Sequence, residues 1–157
     1  MSSLKPLFKA VLQYDDSIET PFFDESEPGS YIGKGRGTME GDKITGHFIW
    51  RLNAENCAFL WTKKGDTPPP GMHLCNTYFT GLMTTENGAE ISFNARGYGF
   101  RGYDSEHPYL WKLTAALRFG TDNKQFHYLN NSLGIWEGTF NENNKEALYH
   151  AYLSALK

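Results

Sequence analysis

The chain has 157 residues, enough for one domain with a full-sized core, and aromatic residues make up 15% of it. That share, together with 16 glycines, favours strands joined by tight turns over helices. With 15 basic against 18 acidic residues the net charge is −3, and no run of Lys or Arg offers the footprint of a nucleic-acid binder.

Residues 1–16 contain no long apolar run, so neither a signal peptide nor a membrane span is expected. Within them "LFKAVLQY" (7–14) is short, apolar and bounded by Asp15 and Asp16, which predicts a first strand. The acidic stretch "FFDESEPGS" reads as a solvated loop. Two strands follow at 31–40 and 43–52, separated by Gly41-Asp42, the turn chemistry of a tight hairpin. "CAFLWTK" (57–63) reads as a fourth strand. The run Pro68-Pro69-Pro70-Gly71 then excludes any central strand or helix, because proline has no N–H to give.

"HLCNTYFTGLMTT" (73–85) and "AEISFNARGYGF" (89–100) flank Glu86-Asn87-Gly88, a strong hairpin signal. Residues 109–121 read as a long strand with Trp111, Leu113, Ala115, Leu117 and Phe119 on one face. "KQFHYLNN" (124–131) predicts one short helical turn. Segments 132–140 and 147–155 close the chain as a hairpin, although the second is rich in helix formers. Strands without regular strand–helix alternation point to an all-β fold. The reading is a single domain over 1–157: an antiparallel up-and-down, lipocalin- or calycin-like β-barrel of about eight to ten strands.

The glycines of "YIGKGRGTMEG" raise the question of a phosphate loop. Such a loop needs a helix whose free N–H groups face the anion, and this sequence continues into a turn and another strand. Gly33, Gly35 and Gly37 instead leave one strand face bare, as happens where a barrel coils sharply or a ligand presses on the backbone. Gly97 and Gly99 repeat the pattern between Arg96, Tyr98 and Phe100.

These stretches carry a resemblance. Gly33, Gly35, Gly37, Gly41, Gly46 and Trp50, then Gly88, Ala89, Gly97, Tyr98 and Gly99, then Phe119, Thr121, Leu129 and Asn130 follow in order the pattern of the family known as domain of unknown function 3237. The resemblance spans most of the chain and implies a small lipocalin-like barrel of unsettled activity. Three places depart from the pattern. Tyr128 stands where the family has Trp, "RLNAEN" after Trp50 replaces an Asn-x-Pro-Arg-Arg stretch, and the loop 63–72 differs; if the Pro-Arg-Arg stretch contacts a ligand in relatives, this chain is expected to bind something else.

The candidate chemistry is sparse. The 5 histidines (His47, His73, His107, His127 and His150) show no ligand spacing, and Cys57 and Cys75 lack both metal and disulfide-framework spacing, so no metal or other cofactor is expected. Few cysteines and no leader together indicate a cytoplasmic protein. No Gly-x-Ser-x-Gly elbow is present. His73 and Cys75 share a strand face, a geometry open to thiolate chemistry as well as to plain burial.

Asn94, Arg96 and Tyr98 alternate with Phe93, Ala95 and Gly97. If the polar set faces inward it lines a lumen; if outward, Arg96 stands in solvent. On the first alternative Arg96, Tyr98 and Glu137 are the catalytic candidates: an oxyanion partner, a hydrogen-bond donor and a carboxylate acid or base. Trp50, His73, Tyr78, Asn94, Arg101 and Trp111 are then the ligand-binding candidates. The expected function is binding of a small apolar or aromatic compound bearing a carbonyl or hydroxyl in the lumen, with cofactor-free isomerase, cyclase or lyase activity left open. The alternative is a filled barrel serving as an interaction or dimerisation module. A homodimer fits both; nucleic acid and membrane are not expected partners.

Overall fold

The computed structural model describes residues 4–15, 30–56, 73–101, 110–141 and 144–154. Within them eight antiparallel strands form a closed barrel in which each pairs with its neighbours in sequence and the last returns to the first. They are β1 (Leu4–Tyr14), β2 (Ser30–Glu40), β3 (Thr45–Asn56), β4 (His73–Thr85), β5 (Glu90–Arg101), β6 (Leu110–Gly120), β7 (Gly134–Asn141) and β8 (Glu146–Ser154). The expected all-β barrel is the fold. The strand predicted at 57–63 lies outside the described residues, and β3 begins at Thr45 and runs on to Asn56.

Strand alternation explains the closure. In β6 Trp111, Leu113, Ala115, Leu117 and Phe119 are buried, and every residue between them is exposed. β8 forms despite its helix-forming residues because Ala147, Tyr149 and Ala151, at period two, all face the core. A helical period would scatter them around the axis. The interior is thus apolar. No helix among the described residues is long and apolar enough to cross a membrane.

Gly33, Gly35 and Gly37 lie within β2, which turns into β3 with no helix between them, so the phosphate-loop geometry is absent at this stretch. Gly35 faces inward opposite Tyr14 of β1 and Trp50 of β3. A Cβ there would collide with the Gln13 carbonyl oxygen and stand 2.9 Å from Cζ2 of Trp50. The backbones of β1 and β2 therefore approach more closely than any side chain permits, as a tightly coiled small barrel requires.

The two ends of the barrel differ. One is closed by the hairpins β2–β3 and β4–β5 and by the connection from β6 to β7. Gly88 takes φ 84° in the β4–β5 turn, a left-handed conformation natural to glycine, and Thr85 Oγ1 accepts from the Ala89 N–H at 3.0 Å. The β6–β7 connection carries a short 3-10 helix, Lys124–Asn131, where the sequence predicts a helical turn; its Phe126 and Leu129 are buried in the core. Asn123 caps that helix, its Oδ1 accepting from the Gln125 N–H at 3.0 Å. At the opposite end lie the ends of β1, β3, β5 and β7 and the starts of β2, β4, β6 and β8; the connections 16–29, 57–72 and 102–109 there lie outside the described residues, and we label that end the mouth for reference.

Candidate functional site

The middle of the interior is filled by rings around Trp136 of β7. Phe48, Phe79, Phe93 and Tyr149 lie 6.3, 5.5, 5.8 and 4.5 Å from it between ring centroids. Nearer the mouth, Tyr14 meets Trp50 edge-on at 4.5 Å and stacks on Phe140 at 4.5 Å. The wall made by β3, β4 and β5 is different there. Its inward residues are small: Ala54, Cys75, Thr77, Gly97 and Gly99. Large rings thus stand on one side of the mouth end and small side chains on another.

Among the described residues, three polar atoms are embedded in this apolar interior without a hydrogen-bond partner: Thr77 Oγ1, Trp136 Nε1 and the Tyr149 hydroxyl. Leaving such a group unmade costs about 1–3 kcal/mol each, so native interiors seldom keep several together. Tyr149 and Trp136 both touch Phe79, and Thr77 is the next inward residue on the same strand toward the mouth. Burial pushes the Tyr149 phenol well above its ordinary pKa. The nearby Trp136 indole N–H exerts a smaller opposing effect without reaching full hydrogen-bond geometry. The phenol therefore stays protonated and can donate to an oxygen placed beside it.

At the rim, Arg101 ends β5 half-buried, with its guanidinium carbon 5.2 Å from the Trp111 ring centroid. Trp111 is its register partner on β6 and is itself buried. The structure thus brings Trp50, Trp111 and Arg101, three of the expected ligand-binding residues, to the inner wall or its rim. His73 pairs with Arg101 through the backbone; the expectation for its side chain falls outside the described residues.

The remaining candidates lie on the outer surface, which corrects their expected place in a lumen. Ala95, Gly97 and Gly99 take the inward positions of β5, so period two turns Asn94, Arg96 and Tyr98 outward. Tyr78 is also outward, and the Arg96 guanidinium carbon lies 4.3 Å above its ring. With Asn53, Asn76 and Tyr98 they line an outer hollow of about 490 Å³. Glu137 is exposed, with Thr114 and His150 as its register partners on β6 and β8. Tyr98 also pairs with Thr114, so Glu137 and Tyr98 stand two strands apart, about 10 Å at ordinary strand spacing. The three catalytic candidates do not form a compact acid–base site.

Sequence reasoning missed Thr77, Trp136 and Tyr149 as inner polar groups. Alternation alone places Tyr149 inside, between Ala147 and Ala151; that its hydroxyl finds no partner emerges only once the strands are paired. Cys75 is buried on the inner wall. Among the described residues no group of three or more His, Cys, Asp or Glu could hold a metal ion.

Solved structures of similar fold include a β-barrel-like protein from Acinetobacter baumannii, 16% identical with a TM-score of 0.71, the match covering 99% of this chain and 97% of that one. A protein of unknown function from Clostridium acetobutylicum is 12% identical, TM-score 0.73, covering 99% and 98%. An enzyme from Penicillium herquei is 16% identical, TM-score 0.64, covering 98% and 95%. At these identities the likeness is one of fold. No protein-family model and no curated protein matches the chain.

Proposed function

We propose that the chain is a small-molecule-binding barrel of the domain-of-unknown-function 3237 type, taking an apolar or aromatic compound with a carbonyl or hydroxyl into the mouth end of its interior. The observation that carries this reading is the set of unpartnered polar atoms at Thr77, Trp136 and Tyr149 inside an aromatic core. A ligand carbonyl would accept from the Tyr149 hydroxyl or the Trp136 N–H, and a ligand hydroxyl would pair with Thr77. Tyr14, Trp50 and Trp111 offer flat apolar walls, and Arg101 at the rim suits an acidic substituent. The fold neighbour described as an enzyme supports turnover as an extension. A protonated phenol held in a dry site polarises a carbonyl oxygen, the assistance that a cofactor-free isomerisation, cyclisation or elimination needs.

A second reading is favoured by the ring cluster around Trp136. It makes the barrel a filled scaffold whose outer face, with Ile49 58% and Tyr98 55% exposed, docks a partner or a second copy. A panel of aromatic ketones, phenols and phenolic acids separates the two. Binders raise the melting temperature in proportion to ligand concentration, because only the folded barrel binds them. Tyr149→Phe is expected to weaken carbonyl ligands by about 0.5–1.5 kcal/mol while leaving the free protein at least as stable. A flat response across the whole panel would favour the filled scaffold.

A further inference from the structure

A groove of about 750 Å³ runs across the outer surface of β1 to β4, away from the interior. Strand pairing gathers three cations along it. Lys34 of β2 lies directly opposite Arg51 of β3, and Arg36 is the next outward residue of β2. All three side chains are exposed, and none is in an ion pair among the described residues. Asp15 is the sole carboxylate among the groove's described lining residues. Like charges set opposite each other on neighbouring strands are destabilising, so this wall holds a repulsion that a bound anion would relieve.

The rest of the groove is not generic surface. Ile49 and Leu82 pair across β3 and β4 to make an apolar shelf beside Arg36, and Thr80 presents a hydroxyl next to Arg51. Gly35 and Gly81 flank Trp50 in one cross-strand row, and with it they form the thin wall behind the groove. The Trp50 indole N–H donates to the Arg36 carbonyl at 3.0 Å, tying that ring to the backbone beneath the cations.

We propose that this groove is a second binding site, distinct from the interior, for a small organic anion: a phosphate or carboxylate carried on an apolar body. Arg36, Arg51 and Lys34 grip the oxyanion, and the Ile49–Leu82 shelf takes the apolar part. A planar guanidinium suits either oxyanion, since both present oxygens to its fork of N–H donors.

Calorimetric titration of the whole chain with phenyl phosphate, benzoate, inorganic phosphate and benzyl alcohol tests the proposal. Phenyl phosphate and benzoate are expected to bind the groove, inorganic phosphate to bind it more weakly, and benzyl alcohol, a ligand only for the interior, to bind with no dependence on Arg36 or Arg51. Affinity should fall as salt rises, and Trp50 emission should change with occupancy. Arg36→Gln and Arg51→Gln each weaken the aromatic anions by roughly tenfold or more, the loss expected for a charge-assisted bond. Arg51→Lys recovers part of that loss. Arg36 and Arg51 are exposed and their charges repel, so melting temperatures equal to or above the parent's will confirm that the variants fold. Arg96→Gln, in the separate outer hollow, and Tyr149→Phe, in the interior, leave phenyl phosphate binding as it was. The proposal is overturned if phenyl phosphate gives no binding heat or binds Arg51→Gln as well as the parent, or if Arg96→Gln costs as much as Arg51→Gln. Tight binding of a phosphate-rich oligonucleotide with none of phenyl phosphate would also overturn it.

Discussion

Thr121 and Asn130 hold each other by two hydrogen bonds across the start and end of the 3-10 helix. The Thr121 N–H donates to Asn130 Oδ1 at 2.8 Å, and Asn130 Nδ2 donates back to the Thr121 carbonyl at 2.9 Å. The Thr121 hydroxyl also donates to the Glu90 carbonyl at 2.7 Å, fastening the connection to β5. Between them Phe126 and Leu129 are pressed into the core. Their work is architectural: they shut one end of the barrel. Asn130→Ala is therefore expected to destabilise by about 1–2 kcal/mol, two partly solvated hydrogen bonds at ordinary net strength. Urea denaturation reads this, and ligand affinity should stay unchanged, because the proposed site lies toward the other end. Unaltered stability would mean the two bonds contribute nothing net.

Gly35 makes a sharper demand. Any Cβ meets the Gln13 carbonyl oxygen, a backbone atom that cannot swing aside, and Trp50 blocks the other direction. Gly35→Val should cost at least the roughly 1–3 kcal/mol typical of an overpacked core. Gly35→Ala should be harmful as well, which separates a backbone collision from simple bulk. A variant as stable as the parent would show that β1 and β2 can move apart here.

Legibility followed the contrast between strand faces. β6 was readable because one face is continuously apolar and the other is not, so Trp111 through Phe119 could be assigned inward from the sequence. β5 was not. Its inward set shrinks to Ala95, Gly97 and Gly99, while its outward set includes Tyr98, so size and polarity point in opposite directions. That inversion is why Arg96 and Tyr98 read equally well as lumen residues. At Gly97 a side chain would collide with the Thr114 carbonyl oxygen of β6, and at Gly99 it would press on Leu113, so the close approach of β5 and β6 keeps these positions small. The basic groove was hidden for another reason. Lys34 and Arg51 are 17 positions apart in sequence, and only the β2–β3 register sets them side by side.

Arg96 itself supplies a prediction that follows from its outward place. Its guanidinium stacks on Tyr78 at the surface, where a cation–π contact contributes about 0.5–1 kcal/mol. Arg96→Ala should lower stability by no more than about that amount. It should also leave the affinity for phenolic acids bound in the interior untouched, whereas Arg101→Ala at the rim should weaken acidic ligands more than neutral ones. Selective loss of acidic ligands in the Arg96 variant would instead place the site on the outer wall.

Tyr149 ties the interior to pH. Burial raises the pKa of its phenol in the folded barrel, while in the unfolded chain it titrates near the ordinary value of about 10. Below about pH 10 both states keep the proton, and this residue makes stability independent of pH. Above that point the unfolded chain releases its proton and the folded barrel holds on to it. Stability therefore falls as pH climbs toward the higher folded value, because deprotonation favours the state that can solvate the anion. Tyr149→Phe removes the group, and the loss of the hydroxyl leaves behind no unpaired polar atom of its own. The variant should match or slightly exceed the parent near neutrality and hold its melting temperature further into the alkaline range. Melting curves from about pH 8 to pH 11 read the difference directly. Parallel alkaline decline in the two proteins would mean that the Tyr149 hydroxyl reaches solvent or a partner as the pH rises, and the unpartnered phenol would no longer support a ligand site in the interior.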